Sequence, residues 1–207
     1  TIGNYDALIV RSATQVSAAV INAGQRLKVI GRAGTGVDNI ALNVATEQGI
    51  IVVNAPQGNT IAAAEHTMAL TLSLARHVPQ ADKSVREGKW ERTNFVGAEL
   101  RGRTLGLIGF GPVGAAVARR AIGLEMAVLA NDPFVPAERL HALGVEPATL
   151  VDVLKRSDFI SLHVPLTAQT KGIISDDQIQ IMKPGVKLIN AARGGILDEE
   201  ALLRGIE

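Results

Sequence analysis

Short apolar runs alternate with longer mixed segments along most of this chain. The runs are only three to five residues long, which is typical of strands buried on both faces of a sheet. The segments between them have the spacing of helices, and this alternation predicts an α/β fold with a doubly wound parallel sheet. The predicted strands are residues 8–10, 27–30, 50–53, 105–108, 126–130, 158–162 and 187–190.

A turn-rich stretch, N-A-P-Q-G-N, interrupts the alternation and divides the chain into two parts. Residues 1–56 are predicted to form a small parallel layer of three strands with two short helices. Ser17 can cap the first of these helices, and Asp38 or Asn39 can cap the second. Residues 57–207 form the second, larger part.

The larger part is predicted to begin with a long helix, from Thr60 to about Arg76. Its low polarity on most sides indicates burial between domains or against another subunit. Pro79 interrupts this helix, and a polar segment, residues 80–88, leads to Trp90. We interpret Trp90 as a packing anchor for this polar arm rather than as a cofactor platform.

A glycine turn, G-F-G-P-V-G, lies between a predicted strand and a helix of small residues. In a dinucleotide-binding turn Gly109 would allow the bend, Gly111 would let a pyrophosphate approach the main chain, and Gly114 would let helix and strand pack closely. Pro112 suits the first helical turn, where a missing N–H costs nothing. The free N–H groups of Val113 and its neighbours would then face phosphates at the positive end of the helix dipole.

Asp132 ends the next predicted strand, 18 residues after Gly114. Its carboxylate can accept hydrogen bonds from ribose hydroxyls and would repel a 2′-phosphate, which favours NAD over NADP. A lone glycine motif is often a plain turn, but the order strand, glycine turn, helix, strand and acid favours dinucleotide binding.

Composition narrows the class of protein further. The chain has 207 residues, is 47% hydrophobic and carries a net charge of +1, which argues against a nucleic-acid or membrane partner recruited by charge. The absence of cysteine excludes a disulfide scaffold and thiolate chemistry. No metal site is predicted. With no signal-like start and no long apolar run, we expect a soluble, cytoplasmic protein.

Ligands of open α/β sheets bind beyond the carboxyl ends of the strands. Four predicted loops qualify: Arg11-Ser12, residues 31–39, residues 163–165 and residues 190–195. In the last of them Arg193 follows a buried strand and could hold a carboxylate and an adjacent carbonyl oxygen in bidentate fashion. A structural ion pair at a strand end explains this arginine equally well.

Several segments together resemble the D-isomer-specific 2-hydroxyacid dehydrogenases. They are G-R-A-G-T-G-V-D-N, N-A-P-Q-G-N-T, G-F-G-P-V-G with Asp132, H-V-P-L-T and N-A-A-R-G-G-I-L-D-E. Within the family, R-S-A-T at 11–14 and K-W-E-R at 89–92 are most similar to the members that act on 3-phosphoglycerate. The resemblance implies oxidation of this substrate by NAD to 3-phosphohydroxypyruvate, the first step of L-serine biosynthesis.

The resemblance also implies a role for each part. Residues 57–207 would be a Rossmann NAD-binding domain, and residues 1–56 part of a smaller flavodoxin-like substrate domain, both incomplete. The implied cofactor contacts are Thr35, Gly109, Gly111, Pro112, Val113, Gly114, Asp132, Val164, Ala191, Ala192 and Arg193. The implied substrate contacts are Arg11, Ser12, Arg32, Gly34, Asn59 and Arg92. Arg193 would be catalytic, Arg92 would lie where a neighbouring subunit reaches across, and the protein would be a homodimer or tetramer.

One element of the family pattern lies outside these residues. The family's proton-transferring His, its partner Glu and an Asp near the nicotinamide belong to a segment C-terminal to Arg193. Of the four histidines here, only His163 ends a strand near the cofactor, and we interpret it as a packed or capping residue. We therefore expect a fragment that binds NAD weakly and turns over nothing.

Two other functions share most of these features. A glyoxylate or hydroxypyruvate reductase of the same family would lack only phosphate recognition. An NAD-sensing corepressor of the same fold would keep the glycine turn and bind peptides. The grouping of Arg11, Arg32 and Asn59 favours a phosphate over a peptide groove.

Overall fold

The computed structural model describes residues 2–206 and contains two parallel sheets. The strands are β1 (Ala7–Val10), β2 (Val29–Arg32), β3 (Ile51–Asn54), β4 (Thr104–Ile108), β5 (Ala127–Asn131), β6 (Glu146–Pro147), β7 (Phe159–Leu162) and β8 (Lys187–Asn190). The helices are α1 (Ala18–Ala23), α2 (Leu42–Glu47), α3 (Thr60–Arg76), α4 (Val78–Arg86), α5 (Pro112–Gly123), α6 (Ala137–His141), α7 (Leu150–Arg156), α8 (Asp176–Gln180) and α9 (Glu199–Ile206). The predicted α/β class is confirmed.

The chain forms two compact units, one ending at Thr60 and the other beginning at Ile61. The first unit contains the three-stranded sheet in the order β1-β2-β3. Its strands are in register, so that Val10, Arg32 and Asn54 share one level at the carboxyl edge of the sheet. The loops after these strands therefore begin side by side.

Two capping predictions in the first unit are wrong. Helix α2 begins after Ala41, so neither Asp38 nor Asn39 is its cap. Asn39 is buried, and its amide nitrogen donates to main-chain carbonyls of the loop after β1. Ser17 does stand at the N-cap of α1, but its side chain makes no capping hydrogen bond.

The second unit contains the five-stranded sheet in the order β6-β5-β4-β7-β8. All neighbouring strands are parallel, and the strand order reverses between β4 and β7. Alternate residues face two apolar cores: Val128 and Ala130 lie in one, and Leu129 in the other. Strand β6 was not predicted, because two residues at a sheet edge leave no periodic signal.

Helix α3 has the predicted bounds, but the segment after it does not remain irregular. Residues 78–86 form α4, with Pro79 in its first turn, where a proline is tolerated. Trp90 follows and is 78% exposed, so it does not serve as a packing anchor within residues 2–206. Within residues 2–206 no helix is both long and apolar enough to cross a membrane.

Candidate functional site

The glycine turn lies at the carboxyl end of β4, beside the point where the strand order reverses. Gly109 donates its N–H to the Asn131 carbonyl at 2.9 Å, and His163 donates its own to the Ile108 carbonyl at 2.7 Å. The turn is thus held by the ends of both neighbouring strands. The Phe110 side chain is fully buried in the core of the second unit and anchors the turn there, while Gly111, Pro112 and Val113 keep some exposed surface.

Each glycine of the turn meets a different steric demand. Gly109 has φ +96°, and a Cβ there would lie 2.7 Å from the His163 main chain. A Cβ on Gly114 would lie 2.4 Å from the Gly109 carbonyl oxygen. A Cβ on Gly111 would meet nothing within 4 Å. Gly111 therefore borders open space in front of α5, and this is the space that a bound pyrophosphate would need.

Helix α5 presents its first turn to this space. Gly111 is its N-cap and Pro112 its first residue, so no side chain caps the helix. The N–H groups of Val113 and Gly114 remain available to an anion, and the helix dipole adds to their attraction. The residues present therefore fit the phosphates of a dinucleotide.

Asp132 lies beside the glycine turn and not in the core. Its Oδ2 accepts the Phe110 N–H at 2.7 Å, and its Oδ1 accepts the Phe134 N–H at 2.9 Å. Each carboxylate oxygen can accept a second hydrogen bond, so the ribose hydroxyls can still be bound. The acid also ties the turn after β4 to the end of β5.

Phe134 is a residue that the sequence argument missed. It lies two positions after Asp132, and its ring is 92% exposed. A large aromatic side chain left in water beside a nucleotide-binding acid offers a flat apolar surface. The sequence does not show that this phenylalanine is exposed, and a phenylalanine is normally assigned to the core.

His163 follows β7 and is hydrogen-bonded within the protein. Its Nε2 lies 2.9 Å from the Ser161 hydroxyl oxygen. The imidazole keeps some solvent-accessible surface, but the protein packs closely around it and desolvation lowers its pKa to about 4. The ring is therefore neutral at physiological pH.

The loop after β8 is shaped by Asn190. Its Oδ1 accepts the Ala192 N–H at 3.1 Å, and its Nδ2 donates to the Arg193 carbonyl at 2.8 Å. The Arg193 guanidinium donates to the Ala192 carbonyl at 2.9 Å. Asn190 was not predicted as a functional residue, although Asn after a strand commonly forms such side-chain turns.

In the first unit, a cationic group lies at the carboxyl edge of the sheet. The Arg32 guanidinium donates to the Ser12 hydroxyl oxygen at 3.2 Å and to the Ala33 carbonyl at 3.1 Å. Its Nε is buried and has no hydrogen-bond partner among residues 2–206. Arg11 precedes Ser12 in the same loop. The Arg32 guanidinium and the Ser12 hydroxyl therefore meet at this edge of the sheet.

A second network fixes Asn59 in this unit. Thr35 donates its hydroxyl to the Asn59 Oδ1 at 2.7 Å, and Asn54 donates its Nδ2 to the Thr35 carbonyl at 2.7 Å. With its oxygen engaged, the Asn59 amide has its NH₂ group left for another acceptor. Gly34 is in the same loop, with its N–H bonded to the Arg32 carbonyl.

The remaining predicted residues fall in two places. Val164, Ala191 and Ala192 follow β7 and β8 and are partly buried, with Val164 and Ala192 packed against the core of the second unit. Arg92 begins a 3₁₀ turn, Arg92–Phe95, and is exposed. It does not follow a strand directly in the sequence.

A parallel sheet with a glycine turn, an uncapped helix and an acid at its switch point defines a dinucleotide-binding protein. The model of the D-isomer specific 2-hydroxyacid dehydrogenase NAD-binding domain matches residues 68–207. The chain therefore belongs to the D-isomer specific 2-hydroxyacid dehydrogenase family, and the predicted cofactor, NAD, is confirmed.

Three relatives show the extent of the similarity. The chain is 56% identical over 206 residues to D-3-phosphoglycerate dehydrogenase of Archaeoglobus fulgidus, covering 100% of this chain and 39% of that protein. It is 53% identical over 207 residues to D-3-phosphoglycerate dehydrogenase 2, chloroplastic, of Arabidopsis thaliana, covering 100% of this chain and 33% of that protein. The structure of D-lactate dehydrogenase from Aquifex aeolicus, complexed with NAD and lactic acid, superposes with a TM-score of 0.91 at 33% identity, covering 99% of this chain and 62% of that one. The chain thus spans between a third and two fifths of these curated relatives.

Proposed function

We propose that this chain is part of an enzyme that oxidises 3-phosphoglycerate to 3-phosphohydroxypyruvate with NAD, the first step of L-serine biosynthesis. The observation that carries the proposal is the contact between Arg32 and Ser12 at one sheet edge, with Arg11 next to Ser12 in the sequence. Two guanidinium groups can pair with a phosphate, and Ser12, which accepts from Arg32, keeps its proton for a phosphate oxygen. The names of the curated relatives point to the same substrate.

The second unit would hold the cofactor. The main chain at Gly111, Pro112 and Val113 would bind the pyrophosphate, and Asp132 the adenosine ribose. The exposed ring of Phe134 would cover the adenine. Val164, Ala191 and Ala192 would line the nicotinamide. When bound, NAD accepts the hydride that leaves C2 of the substrate.

Arg193 would bind the substrate carboxylate and polarise the oxygen on C2. Its guanidinium has the planar donors that this requires, and Asn190 holds the main chain around it. We expect Arg193→Gln to lower kcat/KM of the full-length protein by at least about a hundredfold, since the contact strengthens in the transition state. Arg156→Gln, which breaks an exposed ion pair with Glu146, is the control. An unchanged kcat/KM would remove Arg193 from the site.

His163 is not proposed as the group that removes the hydroxyl proton. A base acts best when its pKa is near the working pH, and the pKa of this imidazole is about 4. We therefore expect the 207-residue chain to bind NAD but to form no NADH from 3-phosphoglycerate. Steady formation of NADH by this chain would show that a group within these 207 residues removes the hydroxyl proton.

The choice of substrate is tested by comparing kcat/KM for 3-phosphoglycerate and D-glycerate in the full-length protein. We expect a strong preference for the phosphorylated acid that Arg32→Leu largely abolishes. Arg26→Leu is the matched control, because Arg26 belongs to the same unit and pairs with Asp6 on the surface. An equal or greater kcat/KM for D-glycerate would favour the second candidate, a glyoxylate or hydroxypyruvate reductase, which the similarity to a lactate dehydrogenase supports.

A corepressor remains the candidate from another class. It would bind NAD and a peptide without turnover. The charged and hydroxyl groups at the edge of the first sheet argue against this function, because a peptide groove does not need them. Turnover of any 2-hydroxy acid by the full-length protein would exclude a purely sensing role.

We also propose that the protein acts as a homodimer or tetramer in the cytoplasm. Trp90, Val96 and Val85 are exposed apolar residues of the second unit, on and after α4. Several large apolar side chains left in water within one short segment are typical of a protein interface. In the sequence, Arg92 comes between Trp90 and Val96, and it would reach the neighbouring subunit's substrate. A chain without cysteine suits a reducing compartment, and cell fractionation would test the location.

A further inference from the structure

Asn39 is a buried polar residue to which no function has been given. Its side chain is one of the few buried polar groups of the first unit, with 8% of its surface exposed. Its Nδ2 donates to the Thr14 carbonyl at 2.6 Å and to the Arg11 carbonyl at 3.0 Å. These carbonyls stand at the two ends of the segment R-S-A-T, residues 11–14. One amide group thus fixes both ends of the loop that carries Arg11 and Ser12.

The orientation of this amide is determined by its surroundings. Two carbonyl oxygens face it, and only the nitrogen of an Asn side chain can donate to both. The Asn39 main chain is also fixed, because its carbonyl accepts the Val16 N–H at 2.7 Å and the Ala41 N–H donates to the Val16 carbonyl at 2.9 Å. The position of Asn39 is therefore fixed independently of residues 11–14, and its amide determines where this loop lies.

The loop is held at a third point by the guanidinium group of Arg32. Arg32 donates to the Ser12 hydroxyl oxygen at 3.2 Å, while Thr14 donates its N–H to the Arg11 carbonyl at 3.3 Å. Without the Asn39 amide, the hydrogen bonds left to residues 11–14 among residues 2–206 are this long turn bond and one exposed side-chain contact, while Val10 and Val16 hold the flanks of the segment. Both of these contacts are weaker than hydrogen bonds to a buried amide, because water competes for them.

We propose that Asn39 is a positioning residue that sets the preference for a phosphorylated substrate, by holding the 11–14 loop so that Arg11 and Ser12 face the phosphate together with Arg32. The proposal rests on the proposed function, since it assigns the phosphate to this loop. Asn39 itself does not touch the substrate. Its removal should weaken binding of the phosphate and leave the chemistry on C2 unchanged.

The test measures kcat and KM for 3-phosphoglycerate and D-glycerate in the full-length protein. In Asn39→Ala, water can replace the missing amide, so that the fold persists while the loop loosens. We expect KM for 3-phosphoglycerate to rise at least about tenfold with kcat within about threefold, and KM for D-glycerate to stay unchanged, as expected for loss of a binding contact. Asn39→Ser, which keeps one donor, should fall between. Asn43→Ala, an exposed position on α2, is the matched control and should behave like the unchanged protein.

An equal loss for both substrates, or no loss for either, would overturn the proposal. If the unchanged protein shows no preference for the phosphorylated acid, the proposed function fails, and the role of Asn39 in holding the loop needs a separate test. That test is the rate of hydrogen exchange of the side-chain amides in the 207-residue chain. Exchange of the Asn39 amide at least about a hundredfold slower than that of Asn43 would support the role of holding the loop. Equal exchange rates would refute it.

Discussion

At the scale of single residues, Gly111 and Gly114 are glycines for two different reasons. At Gly114 a side chain would collide with the Gly109 carbonyl, so the need is internal packing. At Gly111 the main chain is extended, with φ −69°, and a side chain would enter open space. The protein alone does not require glycine there, and we propose that the bound pyrophosphate does.

This difference gives a prediction for NAD affinity and stability. Gly111→Ala should lower NAD affinity at least about tenfold while changing the free energy of unfolding by less than about 1 kcal/mol. Gly114→Ala should cost about 1–3 kcal/mol of stability, because a Cβ 2.4 Å from a main-chain oxygen forces the turn to move. Calorimetric titration with NAD and urea unfolding measure the two effects.

Gly123→Ala is the control for both variants, since a Cβ at this last residue of α5 meets nothing within 4 Å. It should keep the affinity and change stability by less than about 1 kcal/mol. If Gly111→Ala binds NAD normally, the open space in front of α5 is not the pyrophosphate site.

His163 makes stability depend on pH. Because desolvation lowers its pKa from 6.5 to about 4, the unfolded chain binds more protons than the folded chain between these values. The contribution of the neutral imidazole is present above pH 6.5 and is lost as the pH falls toward 4. Urea unfolding at several pH values should show a shallower dependence in His163→Gln than in the unchanged chain. His141→Gln, at an exposed position, is the control, and equal slopes for all three chains would refute the assignment.

At the scale of elements, the contact of β4 with α7 contains an unsatisfied polar atom. The Ser157 hydroxyl follows α7, is fully buried and has no hydrogen-bond partner among residues 2–206. It lies against Gly106 of β4, where a Cβ would come within 2.2 Å of the hydroxyl oxygen. Helix and central strand are therefore close because one residue is glycine and the other is small.

Two substitutions test this contact in opposite directions. Ser157→Ala should raise the free energy of unfolding by about 1 kcal/mol, because it removes a buried hydroxyl that makes no hydrogen bond. Gly106→Ala should lower it by about 1–3 kcal/mol, because its Cβ also meets Val153 at 2.6 Å. Thermal and urea unfolding of both variants provide the measurement. A loss of stability in Ser157→Ala would show that the hydroxyl has a partner, such as a bound water.

The elements themselves were largely readable from the sequence, and their connections were less so. Every described strand except β6, as well as α3, was predicted within one or two residues, since apolar periodicity is a local property. The expected burial on both faces is wrong for β1 and β3, where Ile9, Ile51 and Val53 are exposed. Helix α4 was missed because Pro79 was taken as a break rather than as a first-turn residue. The caps of α1 and α2 were misjudged because Ser17 makes no capping hydrogen bond and Asn39 finds partners in another loop.

At the scale of the whole molecule, Trp90 provides the test of assembly. If the exposed apolar residues around it form a subunit interface, Trp90→Ser should raise the dimer dissociation constant of the 207-residue chain at least about tenfold, as for other buried aromatic anchors. Val151→Ser, on the exposed side of α7, should leave the constant unchanged. Analytical ultracentrifugation measures both. A chain that is monomeric at micromolar concentration would argue that this surface does not pair two copies.

The sequence by itself determined the α/β class, the parallel strands, the glycine turn and the acid at Asp132, because these depend on short-range periodicity and on the conformational freedom of glycine. Only the tertiary structure decided which polar groups meet. It paired Asn39 with the loop of Arg11, and His163 with Ser161, and it left Phe134 and Trp90 in water. Such choices depend on which distant segments pack together and exclude solvent, and no local pattern of residues contains that information.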